Sequence, residues 1–353
     1  MKFGVQVFFQ HGDLSMTQRE MYQKEIELCL RAEELGLDYL LSPEHHSTDY
    51  SISPDPTQLL SYLAARTTKI GLVTGAIILP WHHPFRVAEK VALLDYLSGG
   101  RLVLGFGRGL ARKEYELLGV EMSEARGRFD EAAPMILAAL ETGVMKGDGP
   151  FFPMSPSQVL PAPDRSFKDR FISIGRSEDS VIAAANLGAA LAFVIQKPIE
   201  EHAEFVRIYR ERFRKVHGSD APPVWTIDFL YMEEDCERAK SVAEEYMTNY
   251  YLTVSEHYET HGSHFKGLKG YEYYQAGAEE AQRVGKEAVA RKFVDANTYG
   301  NAEDVIARIE HRRSVIGDHV ALFAPSFAGL PYEAVNRTLD LFATQVIPHF
   351  RGA

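Results

Sequence analysis

The chain has 353 residues, of which 45% are hydrophobic and 25% charged, ordinary globular proportions with enough length for one large domain or two smaller ones. Its formal net charge of -11 repels phosphate backbones and anionic lipid, which argues against a general nucleic-acid or membrane-surface role. No apolar run reaches the roughly 18 residues needed to span a bilayer, the run in MKFGVQVFFQHGD is too short for a signal peptide, and two cysteines build no disulfide framework, so a cytoplasmic protein is expected.

Phe3 to Phe9 is an apolar, β-rich run, and Thr17 to Leu35 then turns to helical periodicity and stops at Gly36. Cys29 shares that helix's apolar face with Tyr22, Ile26 and Leu30, so it is read as packing and not as a nucleophile. DYLLSPEHHSTDY supplies a second strand that ends in Glu44, His45 and His46, and Asp55-Pro56 opens the next helix. A third strand is expected over Lys69–Leu79, a helix from Pro84, and a fourth strand over Arg101–Gly105. A polar loop comes next, then a helix over about 123–140 that Pro134 should bend.

Five prolines between residues 147 and 170 mark an irregular excursion, expected to lie over the barrel. Strands follow at Phe171–Ile174, Ala190–Ile195 and Val224–Tyr231, alternating with helices from Ser177, Pro198 and Asp235. Residues 253–300 show no clear period and are read as an insertion. A helix over Asn301–Arg313, a strand at His319–Phe323 and a helix from Pro331 complete eight βα units. The pattern predicts an α/β fold, a (β/α)8 TIM barrel with insertions, forming a single domain over residues 1–353.

In such a barrel the loops after strands two to five converge on one face, and each carries unusual residues. The first holds Glu44, His45 and His46. In TGAIILPWHHP, Gly75 and Ala76 are small enough for a flat ligand to approach the backbone. GFGRGL places Arg108 among glycines, an anion-binding composition, although Leu110 breaks the dinucleotide fingerprint. In GRSEDS, Arg176, Ser177 and Ser180 stand at a helix start, where they serve either a bound anion or a plain N-cap.

Together EHHSTDY, TGAIILPWHHPFRVAEKVALLDYLSGGRLVLGFGRGL and GRSEDS resemble the bacterial luciferase-like family of flavin-dependent monooxygenases. The likeness is close from Phe3 to about Leu140 and looser from 171 to 195; beyond that only the layout and YGNAEDVIARI match. It implies reduced FMN (FMNH2) on the carboxyl face of the barrel, over a non-proline cis peptide at Gly75–Ala76, with Gly107 and Leu110 beside it. Arg108, Arg176, Ser177 and Ser180 would hold its phosphate, Arg176 replacing an acidic residue of the luciferase α-subunit. His45 matches the catalytic histidine, with Glu44 and His46 orienting or backing it. O2 would add to the flavin at C4a, giving a peroxide that oxygenates a small apolar organic substrate such as an aldehyde or ketone.

Gly107 stands where luciferase carries a reactive cysteine, so oxygen insertion or hydroxylation without light is implied. The lack of a second nucleotide signature implies a separate flavin reductase, and the family's pairing through its early helices implies a homodimer. A deazaflavin-dependent hydride-transfer enzyme and a non-catalytic flavin-binding partner subunit are the alternatives. Tyr271, Tyr273 and Tyr274 are read either as a lid over the substrate or as exposed loop aromatics. No metal site is expected: His257, His261 and His264 have ligand-like spacing but no supporting pattern around them.

Overall fold

Alternating apolar runs and helices close into a barrel in the computed structural model, which describes residues 1–260, 262–268 and 271–352. Among the described residues the barrel strands are β1 (Lys2–Gln6), β2 (Tyr39–Ser42), β3 (Gly71–Thr74), β4 (Leu102–Gly107), β5 (Phe171–Ile174), β6 (Ala190–Val194), β7 (Val224–Met232) and β8 (His319–Ala324). Each pairs in parallel with its neighbours in sequence, and β8 returns to pair with β1, so the expected closed (β/α)8 barrel is formed. Side chains alternate along each strand: Leu41, Val73, Ile172, Ala192, Ile227 and Leu322 pack together inside the barrel, while Leu40, Leu72 and Leu104 join the larger core under the helices.

The helices begin where the sequence gives them caps. Thr17 and Glu20 form a capping box at α1 (Gln18–Glu34), and the Asp55 carboxylate accepts the Thr57 and Gln58 amides at α2 (Pro56–Ala64). Next in order are α3 (Pro84–Ser98), α4 (Arg112–Leu117), α5 (Ala125–Thr142), α6 (Glu178–Leu187), α7 (Ile199–His217) and α8 (Cys236–His257). Cys29 is fully buried in the core, as its face predicts.

Four expectations change. The third strand stops at Thr74; a cis peptide joins Gly75 to Ala76, Ile77–Ile78 pairs again with β4, and a 3-10 turn follows at Leu79–Trp81. The loop after β4 holds α4, too short to leave a periodic signature. The 147–170 excursion does not lie over the barrel mouth. Its hairpin, Val144–Gly147 with Met154–Gln158, flanks α5, where Glu131 accepts the Phe151 and Phe152 amides. Further on, the Tyr96 hydroxyl of α3 donates to the Ala162 carbonyl.

The 253–300 stretch is also more regular than its sequence suggests. It continues α8 to His257 and forms α9 (Glu272–Val284), α10 (Lys286–Ala296) and a short strand, Thr298–Gly300, on the end of β7. The buried face of α9 is Ala278 and Ala281. Two helices, α11 (Ala302–Ile316) and α12 (Tyr332–Leu341), flank β8. No helix among the described residues is long and apolar enough to cross a membrane.

Candidate active site

The carboxyl ends of the strands open into a cleft of about 1060 Å3, a volume that includes the solvent space at its mouth. Glu44, His45, Gly75, Ala76, Gly107, Arg108, Leu110, Arg176 and Ser180 all line it. Residues as distant in the chain as Glu44 and Ser180 thus meet because each lies at a strand end, not because the chain brings them together locally. His46 and Ser177 do not reach the wall. His46 turns toward Glu44 and Trp81, and the Ser177 hydroxyl accepts the Ser180 amide as the N-cap of α6. Between the two readings of GRSEDS, the cap is the role that Ser177's own contacts display.

Two buried carboxylates organise the histidines. Glu44 accepts the Ile78 amide at 2.9 Å, and the His82 and His46 Nε2 atoms stand 2.6 and 3.3 Å from its Oε1. Burial opposes its ionisation, but these partners outweigh burial and hold the carboxyl below its usual range. Glu44 in turn raises the His46 imidazole, against the smaller effect of burial. His45 is not in this group. Its Nδ1 lies 3.2 Å from Oε1 of Glu114, the oxygen that also accepts the His46 amide at 2.7 Å.

Glu114 is the orienting residue that the sequence did not reveal. It sits in α4, and its other oxygen is 3.7 Å from Nε2 of His257, at the end of α8. Burial works against the charge, yet the His257 and His45 rings bring the carboxyl down to about 2. Burial also lowers the His257 imidazole, with Glu114 acting in the opposite direction. An ionised Glu114 accepts a proton-bearing Nδ1 from His45 and leaves its Nε2 available on the far side, 3.5 Å from the Tyr258 hydroxyl. Tyr50 stacks on the His257 ring with centroids 4.5 Å apart, closing the back of the pair.

The anion end is built from β4 and the loop after β5. Gly109 adopts a left-handed φ of 81°, and a Cβ there would lie 2.8 Å from Ile78 and 3.1 Å from Trp81, so only glycine lets the loop pack this way. The Arg108 guanidinium lies 4.6 Å from the Tyr271 ring centre, and that of Arg176 lies 5.3 Å from Tyr274. Tyr271 is buried and donates to the Gly109 carbonyl, Tyr274 lines the cleft, and Tyr273 packs over Lys197. These are therefore not exposed loop aromatics: residues 271–274 cover the arginine side of the cleft. His264 packs on Phe265, which stacks in turn on Tyr271, and His261 lies outside the described residues.

The donor set suits a flavin mononucleotide: two guanidiniums for a phosphate, glycine and alanine backbone for a flat ring, and apolar walls. Gln6 Oε1 and Trp81 Nε1 are buried without a hydrogen-bond partner although both residues line the cleft, so polar groups await a ligand there.

A (β/α)8 barrel whose strand ends gather a carboxylate-held histidine and two arginines in one cleft has the layout of a barrel enzyme, with the candidate active site at the carboxyl ends of its strands. The model of the luciferase-like monooxygenases matches residues 1–319, and the chain belongs to that family of flavin-dependent monooxygenases. It is 26% identical over 357 residues to the alkanal monooxygenase alpha chain of Photobacterium leiognathi, covering 98% of both. To the oxygenase component of the flavin-dependent trigonelline monooxygenase of Acinetobacter baylyi it is 24% identical, covering 99% of this chain and 96% of the other. Among solved structures, monooxygenase RslO1 from Streptomyces bottropensis superposes with a TM-score of 0.79 at 26% identity, over 99% of this chain and 100% of the other. An F420-dependent secondary alcohol dehydrogenase shares the fold, with a TM-score of 0.73 at 17% identity over 98% of each chain.

Proposed function

We propose that this protein is the oxygenase component of a two-component system, using reduced FMN and O2 to oxygenate a small, largely apolar organic substrate such as an aldehyde or ketone. The observation that carries this reading is His45: Nδ1 is held by an ionised carboxylate, and Nε2 is left to exchange a proton at the cleft. Arg108 and Arg176 would hold the FMN phosphate, with Ser180 beside them, and Gly75, Ala76, Gly107 and Leu110 would line the ring. Reduced flavin would supply two electrons to O2, so that one oxygen atom enters the substrate and the other leaves as water. His45 would give or take the proton that this exchange requires, while Glu114 holds its tautomer.

The walls formed by Phe8, Tyr50, Tyr250 and Tyr258 favour a substrate with apolar or aromatic surface. The trigonelline relative is called an oxygenase component, which supports a reductase on a separate chain here. Tyr62 of α2 with Leu93 and Leu97 of α3 form an exposed apolar face, 47, 48 and 55% accessible, which supports pairing of two copies through these helices. The chain is read as one cytosolic barrel domain.

The deciding experiment mixes the anaerobic protein–FMNH2 complex with oxygenated buffer. Reoxidation slower than that of free FMNH2, with oxygen transferred to substrate, is expected. Reoxidation at the free-solution rate would overturn the proposal. Anaerobic turnover with a reduced deazaflavin would assign hydride transfer instead.

A further inference from the structure

Glu114 carries one imidazole more than a proton-handling pair needs. His45 Nδ1 is 3.2 Å from one of its oxygens and His257 Nε2 is 3.7 Å from the other. One nitrogen from each ring and a carboxylate oxygen all fall within 4.8 Å of one another. His257 is 4% exposed, and its Nε2 has no hydrogen-bond partner. A buried ring nitrogen 3.7 Å from a carboxylate oxygen, an ion-pair distance longer than a good hydrogen bond, is a polar group only loosely partnered.

We propose that His45, Glu114 and His257 form a binding site for a divalent late first-row transition-metal ion. Zinc takes imidazole nitrogen and carboxylate oxygen at about 2.0–2.2 Å, which sets neighbouring ligand atoms of a tetrahedral site roughly 3.3–3.5 Å apart. The 3.2 and 3.7 Å separations run to different oxygens of Glu114, and one ligand atom from each residue falls within 4.8 Å of the others, so the two rings would close in on a single carboxylate oxygen as the ion binds. Two imidazoles with one carboxylate select zinc, cobalt, nickel or iron over magnesium and calcium, which prefer oxygen.

The outer contacts are those of an oriented ligand set. His257 Nδ1 is 3.0 Å from the Thr48 hydroxyl, which fixes the ring with Nε2 toward Glu114. The His46 amide holds the carboxylate, and Tyr258 stands 3.5 Å from His45 Nε2. Three protein ligands leave a further position open, and His45 and Glu114 both line the cleft, so an ion can enter from there. The ligands come from the loop after β2, from α4 and from the end of α8, so an ion would tie the barrel to the segment that covers it.

One consequence rests on the flavin reading. A metal on Nδ1 forces the His45 proton onto Nε2, which can then no longer accept one, so the ion would act as a reversible inhibitor. The site itself does not depend on that reading.

The test titrates Zn2+, and Co2+ as a spectroscopic probe, into the flavin-free, tag-free full chain, and measures FMN binding on the same samples. One ion per chain is expected, with Co2+ bands of a low-coordinate site. Binding should weaken at least roughly tenfold in both His257→Gln and Glu114→Gln. If wild type shows no stoichiometric ion and no Co2+ bands, or if affinity survives both substitutions, the site is refuted. Where a variant fails to fold, the wild-type stoichiometry and Co2+ spectrum decide. Loss of FMN binding by the wild type would count against the flavin reading and leave the metal result standing.

Discussion

Glu44 and Glu114 are both buried, ionised and flanked by two imidazoles, yet they do different work. Glu44 binds His46, two residues away, and His82 and the Ile78 amide in the loop after β3, so every contact stays within two adjacent strand ends. It fastens the barrel to itself. Glu114 joins the β2 loop through His45 to the end of α8 through His257, and one of its rings faces the cleft. The same buried chemistry makes a brace when its partners are neighbours, and an active site when they come from distant elements.

The comparison breaks if the two clusters respond alike. The largest effect is expected for His45→Ala, which should cut turnover about 100-fold or more while FMN affinity holds, since general acid–base groups contribute roughly that much. Steady-state kinetics beside FMN titration measures both. Glu114→Gln comes next. It keeps the shape but no longer fixes the Nδ1–H tautomer, so turnover should fall by about tenfold, with the larger change in kcat and little in KM for the substrate. A KM effect alone would place Glu114 with Glu44 as a brace.

Glu44→Gln should instead cost stability. It puts an amide NH2 among the two imidazoles and gives up hydrogen bonds to a charged acceptor, a loss of about 1.5–3 kcal/mol, read as a lower denaturant midpoint. FMN affinity should fall with it, because Ile78 lies just beyond the Gly75–Ala76 bond and lines the cleft. A variant of unchanged stability but lower turnover would reverse the assignment of the two carboxylates.

The difference between the clusters also decides what was legible in the sequence. EHH, TGA, GFGRGL and GRSEDS lie directly at strand ends, so recognising eight βα units is enough to bring them to one face. Glu114 and His257 could not be found that way. Glu114 looks like one more acid in ARKEYE, and His257 closes a long helix before a His-, Gly- and Tyr-rich stretch read as having no clear period; only the packing of α4 and α8 over the mouth joins them. Tyr274 is similar, reaching Arg176 from a helix start that the sequence read as aperiodic. Ser177 shows the converse, a legible position whose hydroxyl is engaged as a helix cap.

Glu25 sharpens the comparison with the smallest effect. It is buried as deeply as the other two, but its Oε1 meets only the Ser326 and Tyr332 hydroxyls and its Oε2 has no partner. Without an imidazole, burial dominates over those bonds and raises the carboxyl to about 7. The signs are therefore opposite. Glu114, at about 2 when folded, stabilises the fold above its ordinary value near 4.5, and that contribution disappears as pH falls through about 2. Glu25, also starting near 4.5, contributes most below that value and loses its contribution as pH rises through about 7. Glu25→Gln should flatten the dependence of the melting temperature between those two pH values and leave the acid limb unchanged, whereas Glu114→Gln should soften the acid limb alone. If both substitutions moved the same limb, the partners around each carboxylate, and not burial, would have been misassigned.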